Sequence, residues 1–379
     1  MPAAASRIAE RLPGTRDVRW YRAPGRVNLI GDHTDYNDGY CLPVAIDREC
    51  VIAARPGATV RVESIELGES IEVPADGGRA DGIESVWGRL VAAVAHELSL
   101  LGRPPVGMHA VVGSDVPIGA GLSSSAAFEV ACAVSLAGVA EWPADPTELA
   151  LACRNAEERA TGVPCGVMDQ LIAVGGREGC AQLIDCRTLT TKAVPLPHRM
   201  GLLVVHSGQE RTLAASAYED RRRACEALAR ELGVAALRDA TLVQVEDRPL
   251  GRHVVTENAR VLDSVRALEH GDLVALGVLM SASHASLRDD YRVSTPELDA
   301  LVAALTAAGA LGARLTGAGF GGAVVAVCDA DDVAAVGEAG MARYRSLTGL
   351  EPRGFTCRAV DGAGTLEQPL RNHPHEACG

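Results

Sequence analysis

The sequence predicts a chain of two domains that mix β-strands with α-helices. Three observations lead there. A length of 379 residues exceeds what one hydrophobic core organises. A hydrophobic content of 47% supplies enough apolar surface for two cores. Strand-type alternation and helix-type spacing both recur in each half of the chain.

In order along the chain, Val27, Leu29 and Ile30 mark a short strand, and the polar residues that follow lie on the connection leaving it. Residues 45–54 and 58–72 alternate apolar and polar positions between glycine and proline breaks, which predicts strands. Trp87, Leu90, Val91, Val94 and Leu98 repeat at helical spacing, and Gly102 closes that helix. Residues 106–112 read as a strand that leads into a glycine- and serine-rich turn and a helix of small residues. Asp145, Pro146 and Glu148 open the next helix as N-cap, N1 and capping-box residues, and Gly162 ends it. A bend over 162–170 and a strand over 181–184 follow.

Residues 188–200 carry turn and proline signals, and the domain boundary is placed near residue 190, giving units of 1–190 and 191–379. The second half continues with an apolar strand over 201–205 and helices over 217–232 and 273–281. A polar stretch over 283–299 and a helix over 298–310 come next. Residues 315–327, LTGAGFGGAVVAV, match the dinucleotide spacing G-x-G-x-x-G. Their glycines precede a strand-type run instead of following a strand and opening a helix, so a Rossmann reading fails.

Bulk properties narrow the function. A net charge of -13 gives no general attraction to nucleic acid or acidic lipid and favours a small-molecule partner. Lys192 is the only lysine, so no G-x-x-x-x-G-K-[ST] loop exists to hold a nucleotide. The eleven cysteines form no C-x-x-C pair and no zinc-spaced cluster, and read as reduced thiols. The N-terminal MPAAASRIAERLPG lacks an apolar core of signal-peptide length, and no apolar run reaches membrane-spanning length. A cytoplasmic protein without a membrane partner is expected.

Two stretches carry chemistry on residue type alone. APGRVNLIGDHTDYNDGYCLP, residues 23–43, gathers Arg26, Asn28, Asp32, His33, Asp35 and Asn37 between glycine bends. Turns use Asp and Asn, but they require neither an arginine nor a histidine. PIGAGLSSSAAFEV, residues 117–130, is a glycine-rich loop opening a helix. It aims backbone N–H groups, serine hydroxyls and a helix dipole at one point, a phosphate cradle without a lysine. Glu157 falls on the apolar stripe of its helix, where a carboxylate needs a partner, and the simplest is one of the many arginines. Asp169, at the end of GVPCGVMDQ, is either a helix cap or a proton-transfer group.

GRVNLIGDHTDYNDG, PIGAGLSSSAAFEV and LTGAGFGGAVV together resemble the three motifs of the GHMP small-molecule kinases, in their order and at roughly their intervals. The first is similar to the signature of the galactokinase branch. The resemblance extends to GVPCGVMDQ, the Tyr218 helix and SHASLRDDY. It implies an α+β fold of two domains with mixed sheets and helices and an active-site cleft between them. It implies phosphoryl transfer from ATP to the anomeric hydroxyl of D-galactose.

By position, the resemblance makes Asp169 the catalytic base and Arg26 the cation beside it. It makes Gly119, Ala120, Gly121, Leu122, Ser123, Ser124 and Ser125 the ATP-phosphate loop, and Ser125 and Glu157 the Mg²⁺ ligands. Asp32, His33, Thr34, Asp35 and Tyr218 become sugar-binding residues, and Trp87 lies toward the adenine. A different monosaccharide, such as N-acetylgalactosamine or arabinose, is the alternative within enzymes, and a sugar sensor without catalysis is the alternative outside them. The intact run Ser123–Ala127, with Asp169 and Arg26, argues against the sensor.

The resemblance also implies one departure: related enzymes carry glutamate at the position of Asp32, where it reaches the sugar C6 hydroxyl. The shorter aspartate predicts wider tolerance at C6. Asp32→Glu should therefore discriminate more strongly between galactose and 6-deoxygalactose. Equal kcat/KM ratios for the two sugars in both proteins would refute this.

Overall fold

The computed structural model describes residues 3–11, 17–78, 82–209 and 214–367. Helix α1 (Ala3–Arg11) buries Ala4, Ala5 and Ile8 against Trp20, Val51, Ala53 and Val111. Strand β1 (Arg19–Asn28) follows, then the short β2 (Tyr40–Cys41) and the long β3 (Pro43–Gly57). The segment expected as one extended run over 58–72 is the hairpin β4 (Thr59–Ser64) and β5 (Glu69–Pro74). Helix α2 (Val86–Leu100) precedes β6 (Gly107–Ser114).

Three helices come next: α3 (Ser124–Val139), α4 (Pro146–Thr161) and α5 (Met168–Gly175). The Asp145 carboxylate accepts from the N–H groups of Thr147 and Glu148, and Gly162 closes α4 in the left-handed conformation, both as the sequence predicts. Strands β7 (Cys180–Asp185), β8 (Thr190–Pro195) and β9 (Met200–His206) follow. The rest comprises α6 (Ala214–Leu232), α7 (Pro249–Glu269), α8 (Leu273–Asp289), α9 (Pro296–Ala307), β10 (Gly312–Thr316), β11 (Ala323–Asp329), α10 (Val333–Thr348), β12 (Arg353–Cys357) and β13 (Gly364–Leu366).

The strands form three sheets. A six-stranded sheet runs β13-β1-β3-β6-β4-β5, antiparallel except for the parallel pair β4 and β6, and α3 packs on β1 and β3. A four-stranded antiparallel sheet runs β10-β11-β9-β12 under α9 and α10, and a small sheet runs β2-β7-β8. The glycines over 317–322 connect the antiparallel β10 and β11, so the rejection of a dinucleotide fold holds. The α+β class with mixed sheets matches the expectation.

The structure goes beyond the sequence expectations in several places. The stretch 188–200, read as turns, contains β8, which pairs along its length with β7. The expected boundary near residue 190 therefore falls at the first residue of a strand that belongs to a sheet shared with β2 and β7. Strand β13 returns from the chain's far end to pair with β1. Helix α8 runs on to Asp289 through residues read as a polar stretch, because Ser283 and Ser286 find buried partners: Ser283 donates to Glu257 at 2.6 Å.

The two halves meet around Arg314. This residue on β10 is fully buried, and its Nη1 donates to the carbonyls of Asn28 (3.3 Å) and Leu29 (3.1 Å) just past β1. Its Nη2 lies 2.5 Å from Asp32 Oδ2. Thr316 adds a reciprocal pair, accepting from the Asn28 N–H at 3.0 Å and donating to the Asn28 carbonyl at 3.2 Å. Removing one member of a buried ion pair strands the other charge. Arg314→Met is therefore expected to lower unfolding stability by about 3–5 kcal/mol. Equilibrium denaturation with an unchanged midpoint would contradict that role.

Candidate active site

The bulge in β1 between Pro24 and Arg26 turns the Arg26 side chain toward α5. Its Nε and Nη2 donate to the two oxygens of Asp169, each at 2.7 Å, and its Nη1 donates to the Gly121 carbonyl at 2.5 Å. This fork is the planar bidentate geometry that fixes a carboxylate in direction as well as charge. Ser123 donates its hydroxyl to Asp169 Oδ2. Asp169 sits in the first turn of α5, whose cap is Val167, so Asp169 is not the helix cap that turn chemistry alone allowed.

The serine loop is shaped by left-handed residues, Gly119, Gly121 and Ser123, with φ between 57° and 79°. Gly119, Gly121 and Ser123–Ser125 line a cavity of about 280 Å³ together with Arg26, Asp32, His33, Asp35, Glu157, Asp169 and Tyr218. Helix α3 begins at Ser124, so its positive end points at this space. Ala120 and Leu122, also expected in the phosphate loop, are buried and do not line the cavity. They anchor the loop: the Leu122 carbonyl accepts from the Arg26 N–H at 3.1 Å.

The loop after β1 separates the expected sugar residues. Asp32 lines the cavity but is already held by Arg314 and by the Gly317 N–H at 3.2 Å. Burial pushes its carboxyl up, against the pull of Arg314 and Arg26. Thr34 is fully buried and absent from the cavity wall, and its hydroxyl is spent on the Gly31 and Tyr40 carbonyls at 2.8 and 2.7 Å. It is a loop-closing residue. Asp35 lies so close to Gly166 that a Cβ there would fall 1.5 Å from its Oδ2. Burial first, then the neighbouring Asp169, push the Asp35 carboxyl up to about 7.

His33 sits in the cavity wall with both ring nitrogens engaged. Nε2 is 3.2 Å from the Ala318 carbonyl and Nδ1 is 2.7 Å from the Tyr36 hydroxyl. A carbonyl only accepts, so Nε2 carries the hydrogen and Nδ1 takes the Tyr36 proton. Tyr36 then accepts from Tyr291 at 2.7 Å, and Tyr291 from the Cys225 thiol at 3.1 Å. Burial holds the imidazole neutral, with its pKa lowered to about 3. His33 therefore faces a ligand with its ring and not with a free nitrogen. Tyr218 stands against it, with ring centroids 5.8 Å apart.

On the far side, Glu157 has no arginine partner among the described residues, contrary to its simplest reading from the helix pattern. Its Oε2 accepts from Gln170 Nε2 at 2.8 Å and from the Cys165 thiol at 3.4 Å, and Ser125 also donates to the carboxylate. Burial and Asp169 push its pKa up. Arg314, Gln170, Cys165, Gly166, Gly317 and Ala318 are site residues that the sequence reading did not assign. Arg314 directly precedes LTGAGFGGAVV and Gln170 closes GVPCGVMDQ, and that position is the sequence signal they carry. Beyond Ser124 and Ser125 a second, apolar cavity of about 310 Å³ opens between Leu67, Val86, Trp87, Leu90, Ile118 and Phe128.

Comparison with known proteins accounts for this arrangement. The galactokinase galactose-binding signature matches residues 10–56, the GHMP kinase N-terminal domain matches 86–177 and the GHMP kinase C-terminal domain matches 264–345. A galactokinase from Roseiflexus sp. (strain RS-1) is 46% identical over 367 residues, covering 92% of this chain and 93% of that protein. The chain belongs to the galactokinase family. A crystal structure of Lactococcus lactis galactokinase complexed with galactose superposes with a TM-score of 0.88 at 30% identity, over 96% of this chain and 98% of that one. Methanococcus jannaschii mevalonate kinase shares the fold at 19% identity, with a TM-score of 0.66 over 92% of this chain and all of that one.

The Asp35 carboxyl lines the cavity, and its titration has a readable consequence. Folded, Asp35 keeps its proton to about pH 7, whereas an unfolded aspartate loses it near about pH 4. The folded state binds the extra proton in that window, so stability falls as pH rises through it. Asp35→Asn should fall less between about pH 5 and about pH 7 in urea denaturation. An identical pH slope in the two proteins would contradict the assignment.

Proposed function

We propose that this chain transfers the γ-phosphoryl group of ATP to the anomeric hydroxyl of galactose. The observation that carries the reading is the Arg26–Asp169 fork, which faces the same cavity as the serine loop and the loop bearing the galactose-binding signature. Phosphoryl transfer needs a held acceptor hydroxyl, a cradle for the phosphates and charge to meet the transition state. Those three parts converge here from β1, the α3 loop and α5.

Asp169 accepts the hydrogen bond of the attacking hydroxyl. A carboxylate is much less basic than an alkoxide, so the proton moves to it only as the bond to phosphorus forms. Arg26 holds Asp169 in one orientation and offsets the charge that develops on the transferred group. Backbone N–H groups of the serine loop and the start of α3 hold the phosphates. The apolar cavity around Trp87 and Phe128 suits the adenine, and the Trp87 indole is fixed there by donating to Glu69 at 2.7 Å.

The residues at the phosphate end fit Mg²⁺. Ser125 and Glu157 offer a hydroxyl and a carboxylate, the oxygen donors a hard cation takes. Among the described residues no cluster of three or more His, Cys, Asp or Glu could hold a metal, so phosphate oxygens and water would complete the shell. When bound, Mg²⁺ supplies charge neutralisation on the phosphates. We place the enzyme in the cytoplasm, where ATP and thiols kept reduced fit the ten free cysteines among the described residues; no helix among those residues is long and apolar enough to cross a membrane.

ATP consumption measured across a panel of sugars should peak with galactose. Asp169→Asn should bind galactose as the parent does and lose turnover by about 10²–10⁴-fold. Near-normal turnover with unchanged sugar affinity would remove the base assignment and leave Arg26 as the main electrostatic contributor.

A further inference from the structure

Gln170 follows Asp169 in the first turn of α5 and is fully buried. Its amide nitrogen divides two hydrogens between two carboxyl groups, Glu157 Oε2 at 2.8 Å and Glu129 Oε2 at 3.2 Å. Glu129 stands on α3 one helical turn after Ser125, is itself fully buried, and its Oε1 has no hydrogen-bond partner. Two acidic groups in a dry setting repel, and one neutral double donor between them is what keeps both in place.

The bond has a directional effect. Glu157 Oε2 already accepts from Gln170 and from the Cys165 thiol, which uses its two lone pairs. The other oxygen, Oε1, is the one left to turn toward Ser125 and the cavity. We propose that Gln170 is a positioning residue for Mg²⁺-nucleotide binding: by occupying Glu157 Oε2 and bracing it against Glu129, it presents Oε1 to the cation. Asp169 and Gln170 are neighbours in one helical turn, so the acceptor side and the cation side of the cavity are set by the same piece of backbone. This inference rests on Glu157 being a Mg²⁺ ligand.

Groups that orient a metal ligand commonly change metal affinity by about 10–100-fold when removed. The test is calorimetric titration of ADP, with Mg²⁺ and with EDTA, into the parent, Gln170→Leu, Gln170→Met and Glu157→Gln. Both Gln170 variants keep bulk and lack the donor, and galactose affinity reports whether each is folded. The expected result is that the gain in ADP affinity on adding Mg²⁺ shrinks by about tenfold in the Gln170 variants. Their EDTA and galactose affinities should stay at parent values. An undiminished gain in a Gln170 variant that binds galactose normally, beside a lost gain in Glu157→Gln, would overturn the role of Gln170 alone. An undiminished gain in Glu157→Gln would overturn the metal-ligand reading beneath it, and the inference with it.

Discussion

The pairing of the buried Arg26 with the partly exposed Asp169 ties together three segments of this molecule. A guanidinium removed from water must have its donors met, and breaking a buried pair costs about 3–5 kcal/mol because the survivor is left uncompensated. Here the demand is met by three segments at once: the bulge in β1, the Gly121 carbonyl of the serine loop and the first turn of α5. None can move far without exposing a stranded charge. The close fit explains Gly25, where a Cβ would fall 2.8 Å from the Leu122 carbonyl and 2.9 Å from Val116. Strand β1 and the serine loop approach each other that closely because residue 25 has no side chain.

Charge divides the cavity into two ends. Arg26 and Arg314 serve Asp169 and Asp32, so the charges of these two pairs balance at that end. At the other end stands Glu157 with the buried Glu129 behind it, and their partners are a carboxamide, a thiol and a hydroxyl. Neutral donors stabilise a carboxylate less than a cation does, and burial pushes both glutamates upward. Under the proposed function, a divalent cation bound with the nucleotide would supply positive charge there.

The motifs around this cavity were legible in the sequence because their chemistry is local. The glycine and serine spacing of residues 119–125 encodes left-handed turns and a helix start within a few residues, and Asp145 encodes its own cap. What could not be read is whatever depends on a distant partner. Arg314 and Asn28 are 286 residues apart, and no periodicity announces their bond. Helix α7 was not foreseen because His253, Glu257, Asn258 and Ser264 interrupt its apolar stripe, and they are buried only because other elements satisfy them. Thr34 and His33 have the residue types of ligands, yet backbone geometry turns their polar atoms into the protein; His33 itself is left-handed, at φ 63°.

That same helix shows why the loop after β1 cannot be understood from its own motif. Glu257 accepts the Gly31 N–H at 2.9 Å, His253 donates to the Asp32 carbonyl at 3.2 Å and Asn258 accepts the Tyr40 N–H at 2.8 Å. Val261 lies so near Gly31 that a Cβ there would come within 2.9 Å of it. Residues 253, 257 and 261 recur every fourth position, one face of α7, and 258 lies beside them. This face is the platform on which the sugar loop is moulded, and none of its four residues lines the cavity. The cavity-lining residues Asp32, His33 and Asp35 belong to the first fifty residues, but the shape of their loop is set by contacts more than two hundred residues later. Substitutions on α7 therefore act on the cavity wall through the backbone position of this loop, without changing any side chain that lines it.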